Sequence, residues 1–150
     1  MVGDSHAGSL AFTLQAELKK SENKLVILQH NGCLPIEGLA RQNYPKSCTD
    51  FIKYLYKNIF VGNNVVVIST RWRLHIIGTR YNNGEGGKEH GEDAQAFEVN
   101  IKDNELENYF SKKIEDIAKT SNLIVVNQIP EVGVNVPNWY FHYSTPLTHS

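Results

Sequence analysis

Three short runs of consecutive apolar residues constrain this chain more than anything else in it. They are Leu25-Val26-Ile27-Leu28, Val65-Val66-Val67-Ile68 and Leu123-Ile124-Val125-Val126. An unbroken apolar run of this length suits a strand covered on both faces, not one with a solvated side. Around these runs the apolar spacing lengthens to that of a helix. Leu10, Leu14 and Leu18, with Ala11 on the same flank, predict an amphipathic helix ending at Lys19-Lys20, where cations complement the dipole. Ser47-Cys48-Thr49-Asp50 resembles a capping box with Asp in place of Glu. It predicts a second helix with Phe51, Ile52, Leu55, Ile59 and Phe60 inward, ended by Gly62-Asn63-Asn64. Asp103 or Asn104 caps a third, with Leu106, Tyr109, Phe110, Ile114 and Ile117 inward. Helices alternating with short strands argue for an α/β fold with a parallel sheet between helical layers.

In such a sheet, function gathers at the carboxyl ends of the strands. The polar residues leaving those ends are Asp4-Ser5-His6, Asn31-Gly32, Thr70-Arg71 and Asn127-Gln128. The first group is the most particular. Gly3-Asp4-Ser5 runs directly into an apolar helical pattern, as a nucleophile turn between strand and helix would. Glycine permits the sharp bend, and Ser5 then stands at a helix start, where free N–H groups favour developing negative charge. Acyl transfer needs that arrangement of hydroxyl and donors. The same residues also read as an ordinary capped helix start. His6 follows on the helix, points away from Ser5, and is not assigned as its base.

The remaining residues mainly exclude. A net charge of −1 over 150 residues offers no basic surface for nucleic acid. No apolar run reaches the about 18 residues of a membrane span, and the first residues lack the regions of a signal peptide. Export would be directed by another stretch. The Gly-rich segment 82–93 reads as an exposed insertion. Its Gly84-Glu85-Gly86-Gly87-Lys88 is no phosphate loop, because no Ser or Thr follows the lysine. His90, Glu92 and Asp93 there are better read as a solvated loop than as metal ligands, and no metal or cofactor is expected. Cys33 and Cys48 fit no zinc spacing; a disulfide and a pair of thiols both remain open.

Taken together, Gly3-Asp4-Ser5-His6, the Gly32-Cys33-Leu34-Pro35 loop and Arg71-Trp72 resemble the SGNH (GDSL-type) hydrolase superfamily. The His after the serine, the Cys-x-Pro loop with a second Cys, and the Arg-Trp pair are similar to the SGNH domain fused behind integral-membrane acyltransferases. Those proteins O-acetylate bacterial surface polysaccharides such as O-antigen. The resemblance implies a three-layer α/β/α, flavodoxin-like fold and a serine acyl-enzyme mechanism. It implies Ser5 as nucleophile and the Gly32 N–H as an oxyanion donor. The family's oxyanion asparagine has no match, since Ser69, Thr70, Arg71 and Trp72 occupy that stretch. Arg71 is the candidate substitute, for an oxyanion or the acyl donor, or else a structural ion pair. Trp72 and Asn31 are candidate sugar contacts, with core packing the other reading of Trp72. The resemblance makes Cys33–Cys48 a disulfide. It implies a periplasmic setting at the bacterial inner membrane, an acetyl donor reached through a membrane acyltransferase domain, and a glycan acceptor.

Two departures qualify this. The family's base and orienting acid lie in a late Asp-x-x-His block, and that spacing occurs nowhere in the sequence. His149 has Thr148 before it and Pro146 three before, and His142 is no better placed, so base and acid are unassigned. In addition, Met1 and Val2 alone precede Gly3, whereas a parallel core strand needs about five residues. The expectation is one SGNH-like domain over residues 1–150, a fragment truncated at both ends with an insertion around 80–100. The alternative is a non-catalytic module that binds glycan or a membrane acyltransferase partner.

Overall fold

A computed structural model describes residues 1–39, 45–77 and 103–127. The elements are β1 (Val2–Gly3), α1 (Ser5–Lys19), β2 (Leu28–Gln29), α2 (Lys46–Asn58), β3 (Val65–Ser69), α3 (Trp72–Ile77), α4 (Asp103–Thr120) and β4 (Asn122–Val126). The strands form one sheet in the order β2-β1-β3-β4, every described pair parallel. That order belongs to the flavodoxin-like doubly wound sheet, whose crevice opens between β1 and β3, where the chain's direction of winding reverses.

Strand alternation divides the apolar residues between two faces. Met1 and Val67 pack with Ala7, Ala11, Leu10 and Leu14 of α1. Val2, Val66 and Ile68 point the other way, into a larger core with Leu55 of α2 and Leu106 and Ile117 of α4. The molecule is therefore three-layered, as the alternating pattern predicts. The inward stripes of α2 and α4 hold: Ile52, Leu55, Leu106 and Ile117 are buried, and Phe51, Tyr109, Phe110 and Ile114 pack against them; Ile59 and Phe60, just past the end of α2 at Asn58, join the same core.

Four local expectations change. The run Leu25–Leu28 pairs only from Leu28, and Val26 and Ile27 are exposed. Its sole described neighbour is β1, which pairs with it at Leu28 and Gln29, and before that only the Met1 nitrogen reaches the run, donating to the Val26 carbonyl. Exposure of Val65, Ile124 and Val125 likewise departs from strands covered on both faces; β4 lies at the end of the described sheet, and Val65 precedes the reach of β1. The capping box is unused. Pro45, extended at φ −61° and ψ 148°, is the N-cap of α2 and makes no side-chain cap. Its carbonyl takes the N–H groups of Cys48 and Thr49, so Ser47 falls inside the helix. Finally, Trp72–Ile77 forms a helix the sequence did not announce. The insertion around 80–100 lies outside the described residues.

A disulfide joins Cys33 to Cys48, with Cα atoms 5.7 Å apart. It ties the loop after β2 to the first turn of α2, and both residues are fully buried with Ile52. A cross-link of 15 residues' separation restricts the unfolded chain, and reducing it should cost about 3 kcal/mol. Urea unfolding with and without reductant, alongside a Cys33→Ser/Cys48→Ser variant, measures this. An unchanged midpoint would mean that Leu34 and Ile36 hold the loop without the bridge.

Candidate functional site

The turn between β1 and α1 is built around one carboxylate. Gly3 must lack a side chain, because a Cβ there would overlap the carbonyl of Ser69 on β3. That close approach brings Asp4 against the start of α3. Asp4 Oδ1 caps α1 by accepting the His6 N–H at 2.9 Å. Asp4 Oδ2 accepts from the Thr70 hydroxyl at 2.7 Å, the Arg71 N–H at 2.9 Å and His75 Nε2 at 3.1 Å. Because an ionised carboxylate only accepts, Nε2 is the protonated nitrogen of His75. Asp4 and His75 are 3 % and 5 % exposed, so the pair is shielded from water. Burial pushes the Asp4 pKa up, but the hydrogen bonds from His75, Arg71, Thr70 and His6 outweigh it. The carboxyl ends well below the usual carboxylate range.

The carboxylate thus fixes where α1 begins. Ser5 is the first residue of that helix and is exposed. No described side chain hydrogen-bonds to its hydroxyl; its carbonyl accepts from Ser9 Oγ at 3.2 Å. On one flank of β1, His30 at the end of β2 donates its N–H to Gly3 O at 3.1 Å. Asn31 and Gly32 follow and are exposed. Gly32 has φ +73°, which glycine adopts freely, and faces open space. Asn31 Oδ1 accepts from Gln29 Nε2 at 2.7 Å, and Gln29 also lies against Gly8 of α1. On the other flank, Thr70 and Arg71 leave β3 through the Asp4 contacts. Parallel pairing in register brings Ser5, Asn31, Gly32 and Arg71 to the same end of the sheet, at its winding reversal.

Trp72 does not join them. It is 8 % exposed, donates Nε1–H to Val126 O at 2.7 Å, and stacks edge-on against Phe110 of α4. Core packing, the second of the two readings of Trp72, is what the indole does here. The loop carrying Gly32 is steadied instead by His30. Its Nδ1 faces the Asn31 carbonyl, its Nε2 meets Ser47 Oγ at 3.1 Å, and its ring lies against Phe51.

A family model described as "SGNH domain (fused to AT3 domains)" matches residues 1–148. The chain belongs to the SGNH family. No curated protein and no solved structure matches it. For this SGNH domain no group of three metal-ligating side chains converges among the described residues. None of the described helices is long and apolar enough to cross a membrane. His90, Glu92, Asp93, Gln128, His142 and His149 lie outside the described residues.

Sequence reasoning on the SGNH domain missed Thr70 and His75 as partners of Asp4. One signal was available: Asp4 stands at the end of a core strand, where a carboxylate calls for donors. Asp4→Asn keeps a capping oxygen but turns an acceptor into a donor facing other donors. It should destabilise by about 2–4 kcal/mol in chemical unfolding. The pH dependence has a definite sign. The folded pKa lies below the unfolded one, so the unfolded chain takes up the proton first. The contribution of Asp4 is complete above about pH 4 and is lost as pH falls towards the folded value. Between pH 5 and 2, wild type should lose stability more steeply than Asp4→Asn; equal slopes would show that the carboxylate is not held ionised.

Proposed function

We propose that this SGNH domain is an acyl-transfer module in which Ser5 takes an acyl group and passes it to a sugar hydroxyl or to water. Membership of the SGNH family makes it a hydrolase- or acyltransferase-type module, and the fusion in the family description indicates a membrane acyltransferase partner. The single observation that carries the finer reading is Ser5 itself, exposed at the first position of α1 beside the turn that Asp4 pins.

In the proposed reaction, Ser5 Oγ attacks the acyl carbonyl and loses its proton to a general base. The tetrahedral oxyanion forms beside the Ser5 N–H at the helix start, with the Gly32 N–H as the second donor. Collapse expels the donor's leaving group with a proton, leaving an ester on Ser5. An acceptor hydroxyl then attacks that ester and yields its proton to the same base, which returns it to Ser5 Oγ as the acyl–serine bond breaks and the product ester departs. Arg71 is the candidate for holding charge on the donor or oxyanion, and Asn31 for an acceptor contact. Acetyl as the group transferred, a surface polysaccharide as acceptor, and the periplasmic face of the inner membrane extend the proposal. The buried disulfide supports an oxidising compartment.

A second reading rests on the sequence. No Asp-x-x-His pair is present, and an unactivated serine hydroxyl is a weak nucleophile. On that reading the SGNH domain binds glycan or the membrane acyltransferase without catalysis. Intact-mass labelling with a fluorophosphonate separates the two. The acyl-transfer reading expects one adduct, abolished in Ser5→Ala, while the variant's unfolding free energy stays within about 0.5 kcal/mol of wild type. No adduct on a folded protein supports the binding module. Loss of fold in Ser5→Ala would reduce Ser5 to a structural helix start.

A further inference from the structure

The Gly32 N–H, the second donor of the proposed oxyanion site, belongs to a peptide group that the chain could hold in two ways. The loop after β2 turns over residues 30–33, where the Cys33 N–H donates to the His30 carbonyl at 3.1 Å. Asn31 and Gly32 are the central residues of that turn. Positive φ occurs at Gly32 but not at Asn31, which makes the turn type II. The commoner type I turn has the same ends and differs mainly in its central peptide, which is turned over. It would send the Gly32 N–H to the opposite side of the loop. Glycine takes either form freely, so residue 32 does not choose between them.

His30 supplies the choice. Its Nδ1 lies 3.2 Å from the Asn31 carbonyl oxygen and 2.9 Å from Cys33 Sγ. A carbonyl oxygen and a disulfide sulfur have no hydrogen to give, so Nδ1 is a protonated nitrogen and donates. That holds whether the ring is neutral or charged. On the other side Nε2 meets Ser47 Oγ at 3.1 Å, and a hydroxyl can give or take a hydrogen bond, so this anchor also survives either state. Phe51 braces the ring. The Asn31 carbonyl and the Gly32 N–H are opposite ends of one planar trans peptide. Holding the oxygen towards His30 therefore turns the N–H away from it. There Gly32 is exposed, and its N–H has no acceptor among the described residues.

We infer that His30 is a positioning residue for the oxyanion donor: it locks the Asn31–Gly32 peptide in the type II orientation, with the Gly32 N–H aimed outward. The catalytic consequence rests on the acyl-transfer reading of Ser5; the orientation itself does not. Donation to the carbonyl also polarises the amide, so the bond that aims the N–H strengthens it as a donor. Without His30 the turn samples both orientations, and the developing oxyanion must select the productive one, which slows acylation.

The experiment uses two amides that each copy one ring nitrogen. In His30→Asn the side-chain NH2 stands where Nδ1 stood, and in His30→Gln it reaches towards the place of Nε2. The full chain carrying each variant is measured for the NMR order parameter of the Gly32 amide and for the rate of fluorophosphonate addition at Ser5. Wild type and His30→Asn should show an order parameter of about 0.85, and His30→Gln one below about 0.6. His30→Asn should label within about threefold of wild type and His30→Gln about tenfold or more slowly, with unfolding midpoints alike. Gly32→Ala meets no neighbouring atom but disfavours positive φ. It should be slowed as much as His30→Gln, and it decides the matter if His30→Gln does not fold. An unchanged order parameter in His30→Gln overturns the inference, as does wild-type labelling in Gly32→Ala. A mobile Gly32 amide with undiminished labelling overturns it too, since the donor would then be out of use. If wild type forms no Ser5 adduct, the acyl-transfer reading fails, and the order parameters alone decide whether His30 sets the peptide.

Discussion

The structure depends on one carboxylate that serves two turns at once. Asp4 caps α1 through Oδ1 and receives Thr70, Arg71 and His75 on Oδ2. A strand of two residues contributes little ladder energy of its own, so β1 is held in the sheet largely through what its end binds. The cap of α1, the chain's exit from β3 and the orientation of α3 are therefore one polar unit. Gly3 makes the unit possible by letting the β1 backbone lie against Ser69. Ser5 gains a fixed position from groups that never contact its hydroxyl.

The legible part of the fold was the part whose cause is local and repeated. The stripes of α2 and α4 recur over several turns, so their inward faces could be read from spacing alone. The Gly-Asp-Ser turn was legible because glycine and an N-cap have fixed chemical roles. His75 was not, since its partner lies 71 residues away, and a lone histidine carries no periodic signal. Helix α3, of six residues, is too short for a period to declare itself. It also consumed Trp72, whose indole looked available until Phe110 and the Val126 carbonyl were seen around it. The capping box failed for a physical reason: the restricted φ and extended ψ of Pro45 start the helix before Ser47 can cap it. The apolar run before β2 misled because hydrophobicity reports a preference for burial, while a strand also needs a neighbour to pair with.

The two sides of the candidate site are held by different means. On the β3 side the fastening is polar and buried, through Asp4. On the β2 side it is chiefly covalent and apolar, through the Cys33–Cys48 bridge and Leu34 and Ile36 at full burial, with His30 adding polar contacts to Asn31 and Ser47. Gly32 sits just outside that clamp, in open space. The clamp positions the loop while leaving its backbone accessible, as an SGNH oxyanion donor would require.

The separation between Asp4 and its partners also orders events in folding. Thr70, Arg71 and His75 stand 66, 67 and 71 residues downstream. Before they arrive, a nascent α1 has only the local His6 cap, and the carboxylate keeps its water. Closing so long a loop is entropically costly, and contacts of this range slow folding. The turn bearing Ser5 lies well ahead of β3 in the sequence, yet it is completed only when β3 docks. A chain with a finished serine turn has therefore already assembled the centre of its sheet.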